Sequence, residues 1–175
     1  MKKLMAFGLI ATIVSSSFAQ TTVETPEVTT KNSWLKAGVS TSVPVGDVSN
    51  YSSFSLGAEL SGQLMATRNF GIGIASGYTH FFPKNEYKDF GVIPAGLLLR
   101  YYPQEKGFFA GTDLGYSFIT NTTNSNGGFY IKPQLGYHNY NWNLFGFYNQ
   151  VFRQTGYIDI QNIGIAATYN IRFKK

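Results

Sequence analysis

Ionic or acid–base chemistry in this 175-residue chain would fall to two histidines, nine carboxylates and 14 basic residues; there is no cysteine. A disulfide framework, a thiolate zinc site and a thiol nucleophile are therefore excluded. His80 lies near a polar loop and His138 at a short turn, so in an up-and-down arrangement they fall at opposite ends and cannot share a metal or a catalytic site. His80 with Asp89 or Glu86 is the one combination suited to general acid–base work, but no serine with nucleophile context stands beside it. The expectation is an interfacial histidine without a catalytic role. Gly71, Gly73 and Gly77 miss the dinucleotide pattern because position 76 is Ser and no helix follows. No cofactor and no metal site are expected.

Six other charges form the more informative constellation. Lys36, Glu59, Arg100, Asp113, Lys132 and Arg172 fall on the polar face of segments that alternate with period two. If that face is enclosed, each charge must be paired or hydrated. Such a set is either a gate or ion path, or an ionic core standing where a hydrophobic one would be. A barrel of eight strands leaves little room for a pore, which favours the ionic core. Lys36 and Glu59 lie at similar distances from the loop near Val48, which makes them expected cross-strand partners. A tilted barrel would shift the register and hand Glu59 to Lys132 or Arg100 instead.

The elements that position these charges are strands. Leu35 to Val43, Phe54 to Ser61, Phe70 to Ile74, Phe108 to Phe118, Phe129 to Tyr137 and Ile163 to Phe173 alternate in polarity. Segments 90–102 and 142–153 are richer in apolar residues, and the second cannot be phased from its pattern. No segment has the period of an amphipathic helix. Short turns at 67–69, 103–107 and 138–141 alternate with polar loops near 44–52, 82–89, 119–128 and 154–160. The turns recur about every 36 residues, a two-strand period. The expected fold is all-β, an eight-stranded antiparallel up-and-down transmembrane β-barrel with both termini on the short-turn side. Pro94 and Pro133 fall inside strands, where proline removes a ladder donor, and belong at bulges or strand ends.

The apolar face carries Val39, Leu56, Leu60, Ile72, Ile74, Leu114, Leu135, Ile165 and Ile171, and no charge. A charge on the lipid face of a barrel costs about 2–4 kcal/mol at the bilayer midplane, so its absence fits contact with lipid. The opposite face is rich in small residues, including Gly57, Gly73, Gly115 and Gly164, which suit a crowded lumen. Aromatic residues gather near strand ends: Tyr101, Phe108, Tyr137, Trp142 and Phe173 at one end, Phe54, Tyr78, Phe118 and Phe129 at the other. Membrane interfaces select two such girdles. A soluble barrel with its apolar face inward would expose a Gly- and Ser-rich surface with few charges, prone to aggregation.

Composition agrees. Aromatic residues are 17% and charged residues 13%, about half the usual share of charge. Residues 1–19 read as a secretory signal peptide, with Lys2 and Lys3 before the apolar run Leu4 to Val14, and Ser17-Phe18-Ala19 before cleavage at Gln20. Residues 20–32 read as a flexible Thr-rich tail and 33–175 as the barrel. Without Lys2 and Lys3, 12 basic residues face 9 acidic ones, too weak a bias for a nucleic-acid partner.

Together these features resemble the small OmpA/OmpX-type outer-membrane barrels, over about residues 33–175. One departure is that Lys174 and Lys175 follow Phe173, where many members of that family end on the aromatic residue. The resemblance implies a bacterial outer-membrane location, periplasmic termini and outer-membrane lipid as the surrounding partner. Three roles stay open: a structural or surface-interaction protein whose loops meet a surface or envelope protein, a narrow conduit for small or apolar solutes, and a lipid-modifying enzyme. The first is favoured by the small, ionic lumen and the missing catalytic set.

Overall fold

The computed structural model describes residues 34–121 and 127–172. The segments expected to be a leader, 1–19, and a tail, 20–32, lie outside the described residues, as do Phe173, the two terminal lysines and the Arg172 side chain. Eight strands follow in order: β1 Trp34–Val45, β2 Ser52–Met65, β3 Phe70–Pro83, β4 Phe90–Tyr101, β5 Gly107–Thr120, β6 Gly128–His138, β7 Trp142–Arg153 and β8 Ile160–Arg172. Each pairs antiparallel with the next, and β8 closes on β1. The strands extend further than the alternation alone suggests, so the loop-end connections are only six or seven residues and the turns three to five.

The register fixes the barrel's shape. Following paired residues from Leu35 through Gly62, Ile74, Leu97, Leu114, Ile131, Gln150 and Gln161 returns to Val45, ten residues from the start. A stagger of that size around eight strands corresponds to a tilt of about 40° and an interior that side chains fill.

Alternation sorts side chains as expected. Val39, Leu64, Ile74, Leu135 and Ile165 point outward and are more than half exposed. No Asp, Glu, Lys or Arg occupies an outward strand position among the described residues. With every strand paired to two neighbours there is no free edge, which meets the requirement lipid imposes on backbone polar groups. Aromatic pairs ring both ends of this face. Phe70 lies on Tyr101, Phe108 on Tyr137 and Trp142 on Tyr169 at the turn end; Phe54 stacks on Phe82 and Phe129 on Phe152 at the loop end.

The phase of β7 is now settled. Asn143, Phe145, Phe147 and Val151 point inward and are buried, while Trp142, Leu144 and Phe152 point outward. Both faces carry aromatics, which is why alternation alone did not phase it. The glycines also have a second reason. A Cβ on Gly73 would strike the carbonyl oxygen of Gly62, and one on Gly115 that of Ala95. Close approach of neighbouring strands, besides lumen crowding, demands glycine there.

Pro94 and Pro133 are neither at strand ends nor at the bulge, which falls between Ser52 and Phe54. Each instead interrupts one of its two ladders. Pairing of β3 with β4 passes from Ser76–Ala95 directly to Thr79–Val92, and pairing of β6 with β7 from Ile131–Gln150 to Gln134–Phe147. On their other sides both prolines stay in register, Pro94 with Ser117 and Pro133 with Thr112. A proline has no N–H, so only the ladder that needed that donor opens.

The outward face yields a direct test. Ile74, 69% exposed on β3, should tolerate Ile74→Val in lipid, whereas Ile74→Arg should lose about 2–4 kcal/mol of folding stability if it lies near the midplane. Denaturant titration of protein refolded into phospholipid vesicles reads the difference, and equal stabilities would remove lipid from this face.

Candidate functional site: the lumen

Two apolar plugs close the lumen. At the loop end a 3-10 helix, Gly46–Asn50, tucks Val48 into the mouth. Gly46 opens this turn with φ of 66°, a left-handed conformation that favours glycine. Val48 packs with Phe81, Val92, Ile119, Tyr130, Val151 and Ile160. At the turn end Tyr102, just beyond β4, folds back among Met65, Phe109, Phe145 and Phe147. His138 seals the same end, its Nε2 3.0 Å from the Gln104 carbonyl oxygen and its ring 4.6 Å from that of Tyr102.

Between the plugs lies an ionic belt. Lys132 on β6 places its ammonium 2.7 and 2.9 Å from the two carboxylate oxygens of Glu59 on β2. These strands are four apart in a ring of eight, so the pair spans the lumen from wall to opposite wall. The ammonium also lies 4.3 Å from the centre of the Phe147 ring, a cation–π contact. Arg100 on β4 donates to Asp113 on β5 at 2.7 Å, and also to the backbone oxygens of Leu99 and Thr112. The other oxygen of Asp113 accepts from Gln134 at 2.6 Å. Arg100, Asp113 and Lys132 are all buried.

Lys36 requires a correction. It is not the partner of Glu59: the register sets Ser61 opposite Lys36 and Gly38 opposite Glu59. Its ammonium donates to the Tyr102 hydroxyl at 2.9 Å and to Asn143 Oδ1 at 3.4 Å. Tyr102 passes the bond on to Gln63 Oε1, and Asn143 to Thr168 and Asn170. Lys36 thus anchors a polar chain at the turn end. Of the six charges singled out in the sequence, four form two ion pairs, Lys36 joins this chain, and the Arg172 side chain falls outside the described residues.

The free space between these groups is small. One cavity of about 20 Å³ lies among Lys36, Arg100, Asp113 and Phe145. Another of about 20 Å³ lies beside Glu59 and Lys132. Each accommodates roughly one water molecule. At the two ends the plug residues Val48 and Tyr102 are only 4% and 5% exposed.

His80 faces outward at the loop end. Its Nε2 is 3.4 Å from Asp89, and its Nδ1 3.3 Å from the Tyr78 hydroxyl. Asp89 in turn accepts from Asn121 at 3.0 Å. Asp89, rather than Glu86, is the acidic neighbour. Neither ring nitrogen meets a serine or threonine hydroxyl among the described residues, and His138 lies at the far end, as its place in the sequence indicates. The plug residues Val48 and Tyr102 were not marked by alternation. Their signals are a lone valine in a polar loop opened by glycine, and an extra tyrosine after a strand's last residue.

A double-mutant cycle distinguishes the pairings. Glu59→Ala should cost about 3–5 kcal/mol, because it strands a buried ammonium. The same change in a Lys132→Ala background should cost much less, while in a Lys36→Ala background it should keep most of its cost. Additive losses for Glu59 and Lys132 in detergent-folded protein would overturn their pairing.

No protein-family model matches the sequence, and neither does any curated protein. Among solved structures, the chain superposes on the attachment invasion locus protein Ail of Yersinia pestis, determined with the heparin analogue sucrose octasulfate, with a TM-score of 0.53 and 13% identity over 79% of this chain and 97% of Ail. It also superposes on the N-terminal β-barrel domain of Pseudomonas aeruginosa OprF, with a TM-score of 0.50 and 14% identity over 81% of this chain and 98% of that one. The chain therefore has the fold of the small eight-stranded barrels to which Ail and the OprF N-terminal domain belong.

Proposed function

We propose that the chain is a bacterial outer-membrane protein with a structural or surface-interaction role, neither an enzyme nor a large pore. The observation that carries this reading is the lumen: a wall-to-wall ion pair between two apolar plugs. A conduit for solutes needs a continuous polar path, and each end is stopped by a buried side chain. The charge-free outer face and its two aromatic girdles support residence in a bilayer. An exported chain entering the outer membrane from inside places its tight turns and both termini in the periplasm and its loops outside.

The loop end also bears on the partner. Its charges are Lys84, Lys88 and Arg153 against Asp47, Glu86, Asp89 and Asp159, a balance without positive excess. Lys84 and Arg153 are further engaged, the first with the Ser49 carbonyl and the second over the Tyr157 ring. Sulfated polyanions of the kind bound to Ail are not favoured by this surface. Tyr51 and Tyr87, packed edge to face at 4.8 Å and exposed, suit a protein partner better. An enzymatic role for His80 lacks a nucleophile, so His80→Ala should leave the composition of envelope lipids unchanged by mass spectrometry.

Planar-bilayer recording tests the main reading. The purified barrel should insert without producing stable ohmic conductance steps. Reproducible steps that disappear when the barrel is unfolded would overturn it and return the conduit as the leading reading.

A further inference from the structure

The two interrupted ladders open onto one chamber. The cavity beside Glu59 and Lys132 is lined by Gly77, Tyr78 and Pro94 from the first interruption, and by Lys132 and Asn149 from the second. Ser117, the cross-strand neighbour of Pro94, also lines it. Its hydroxyl is buried, at 1% exposure, and has no hydrogen-bond partner. A buried hydroxyl without a partner costs free energy that a small bound molecule recovers. The chamber thus combines an unmet hydroxyl, a carboxylate, an ammonium and two asparagine amides, Asn149 and Asn162, in a space of about 20 Å³.

The wall beside this chamber differs from the ends. Axially, a molecule must pass the Val48 plug or the Tyr102 plug, each packed in an apolar cluster. Laterally, it meets the stretch between β3 and β4 where the pairs Gly77–Pro94 and Tyr78–Ile93 are missing from the ladder. Local opening is easiest where backbone hydrogen bonds are fewest. Gly77 adds no side chain to block the seam, and on the outer side the Tyr78 ring reaches over to Gly91 on β4, so it must swing aside when the seam opens.

We propose that this chamber is a binding site for a small uncharged hydrogen-bonding molecule of the size of water, and that it is reached through the barrel wall by the Pro94 seam rather than through either mouth. The Ser117 hydroxyl, the Glu59–Lys132 pair and the asparagine amides supply the donors and acceptors. The site goes beyond the sealed-barrel reading, which concerns the axial path alone.

The chain contains no cysteine, so a single Ser117→Cys reporter is unambiguous. In protein folded into lipid nanodiscs, methyl methanethiosulfonate is larger than the resting chamber and reaches this cysteine only when the seam opens locally. It should therefore modify the cysteine slowly, and a bulky quaternary ammonium thiosulfonate should not. Pro94→Val restores a ladder donor and should slow modification about two- to tenfold, the population change that one backbone hydrogen bond produces. Pro94→Ala serves the same purpose if valine disturbs the fold. Val48→Ala, which thins the loop-end plug, should leave the rate unchanged. A rate raised by Val48→Ala and indifferent to Pro94 would establish axial entry and overturn the proposal. An inert cysteine in every background would overturn it as well. Failure of the sealed-barrel reading would appear separately, as conductance in bilayers, whatever the labelling rates.

Discussion

The contact between Lys132 and Glu59 holds the interior of this barrel together. A soluble domain hides apolar side chains inside and shows charge to water. Here lipid takes the apolar face, so the inside must be filled with what remains. Two opposite charges on facing walls solve two problems with one contact: they neutralise each other and they fill space between the walls. Breaking such a pair leaves a charge where water scarcely reaches, which is why its geometry is tightly specified. Arg100 and Asp113 repeat the solution between adjacent strands, with Gln134 and two backbone carbonyls satisfying what the pair leaves over.

The belt needs its apolar ends. Ion pairs in contact with bulk water contribute little. The Val48 cluster and the Tyr102 cluster exclude water from above and below, lowering the local dielectric in which the pairs act. The plugs in turn depend on connections short enough to fold back over the mouth. A five-residue 3-10 helix reaches the loop-end core with one valine, and the turn after β4 reaches the other with one tyrosine. A barrel with long, free loops would not be stoppered in this way. Among the described residues, the loop end shows the exposed Tyr51 and Tyr87 beside a balanced set of charges.

Most of the fold was legible because lipid imposes a severe rule on one face. Alternation with no charge on the outward side marked β1, β2, β3, β5, β6 and β8 and set their phase. The rule fails where both faces are apolar. In β7, Phe145 and Phe147 belong to the interior while Leu144 belongs to lipid, and nothing local separates them. The inward charges were legible as a set, since each falls on the polar face. Their partners were not. Counting from the loop pairs Lys36 with Glu59 only in a barrel whose lumen contacts follow adjacent strands. The Glu59 partner is instead decided by the reach of Lys132 across the diameter. Stagger and diameter are properties of the closed sheet, and no single strand encodes them.

The prolines show how a local rule and a global one meet. Locally, each removes a donor and should weaken a central strand. Globally, every strand of a closed barrel is central, so there is no edge to which proline can be moved. The barrel resolves the conflict by losing only the pairs that needed the missing N–H and keeping the opposite ladder in register. Both losses border the chamber that holds the Glu59–Lys132 pair. Polar backbone groups released by the broken pairs therefore have polar neighbours on the lumen side and need not face lipid, where an unsatisfied group costs several kcal/mol. An interruption opposite the apolar plugs would have no such recourse. The position of the ionic belt thus sets where this wall tolerates proline.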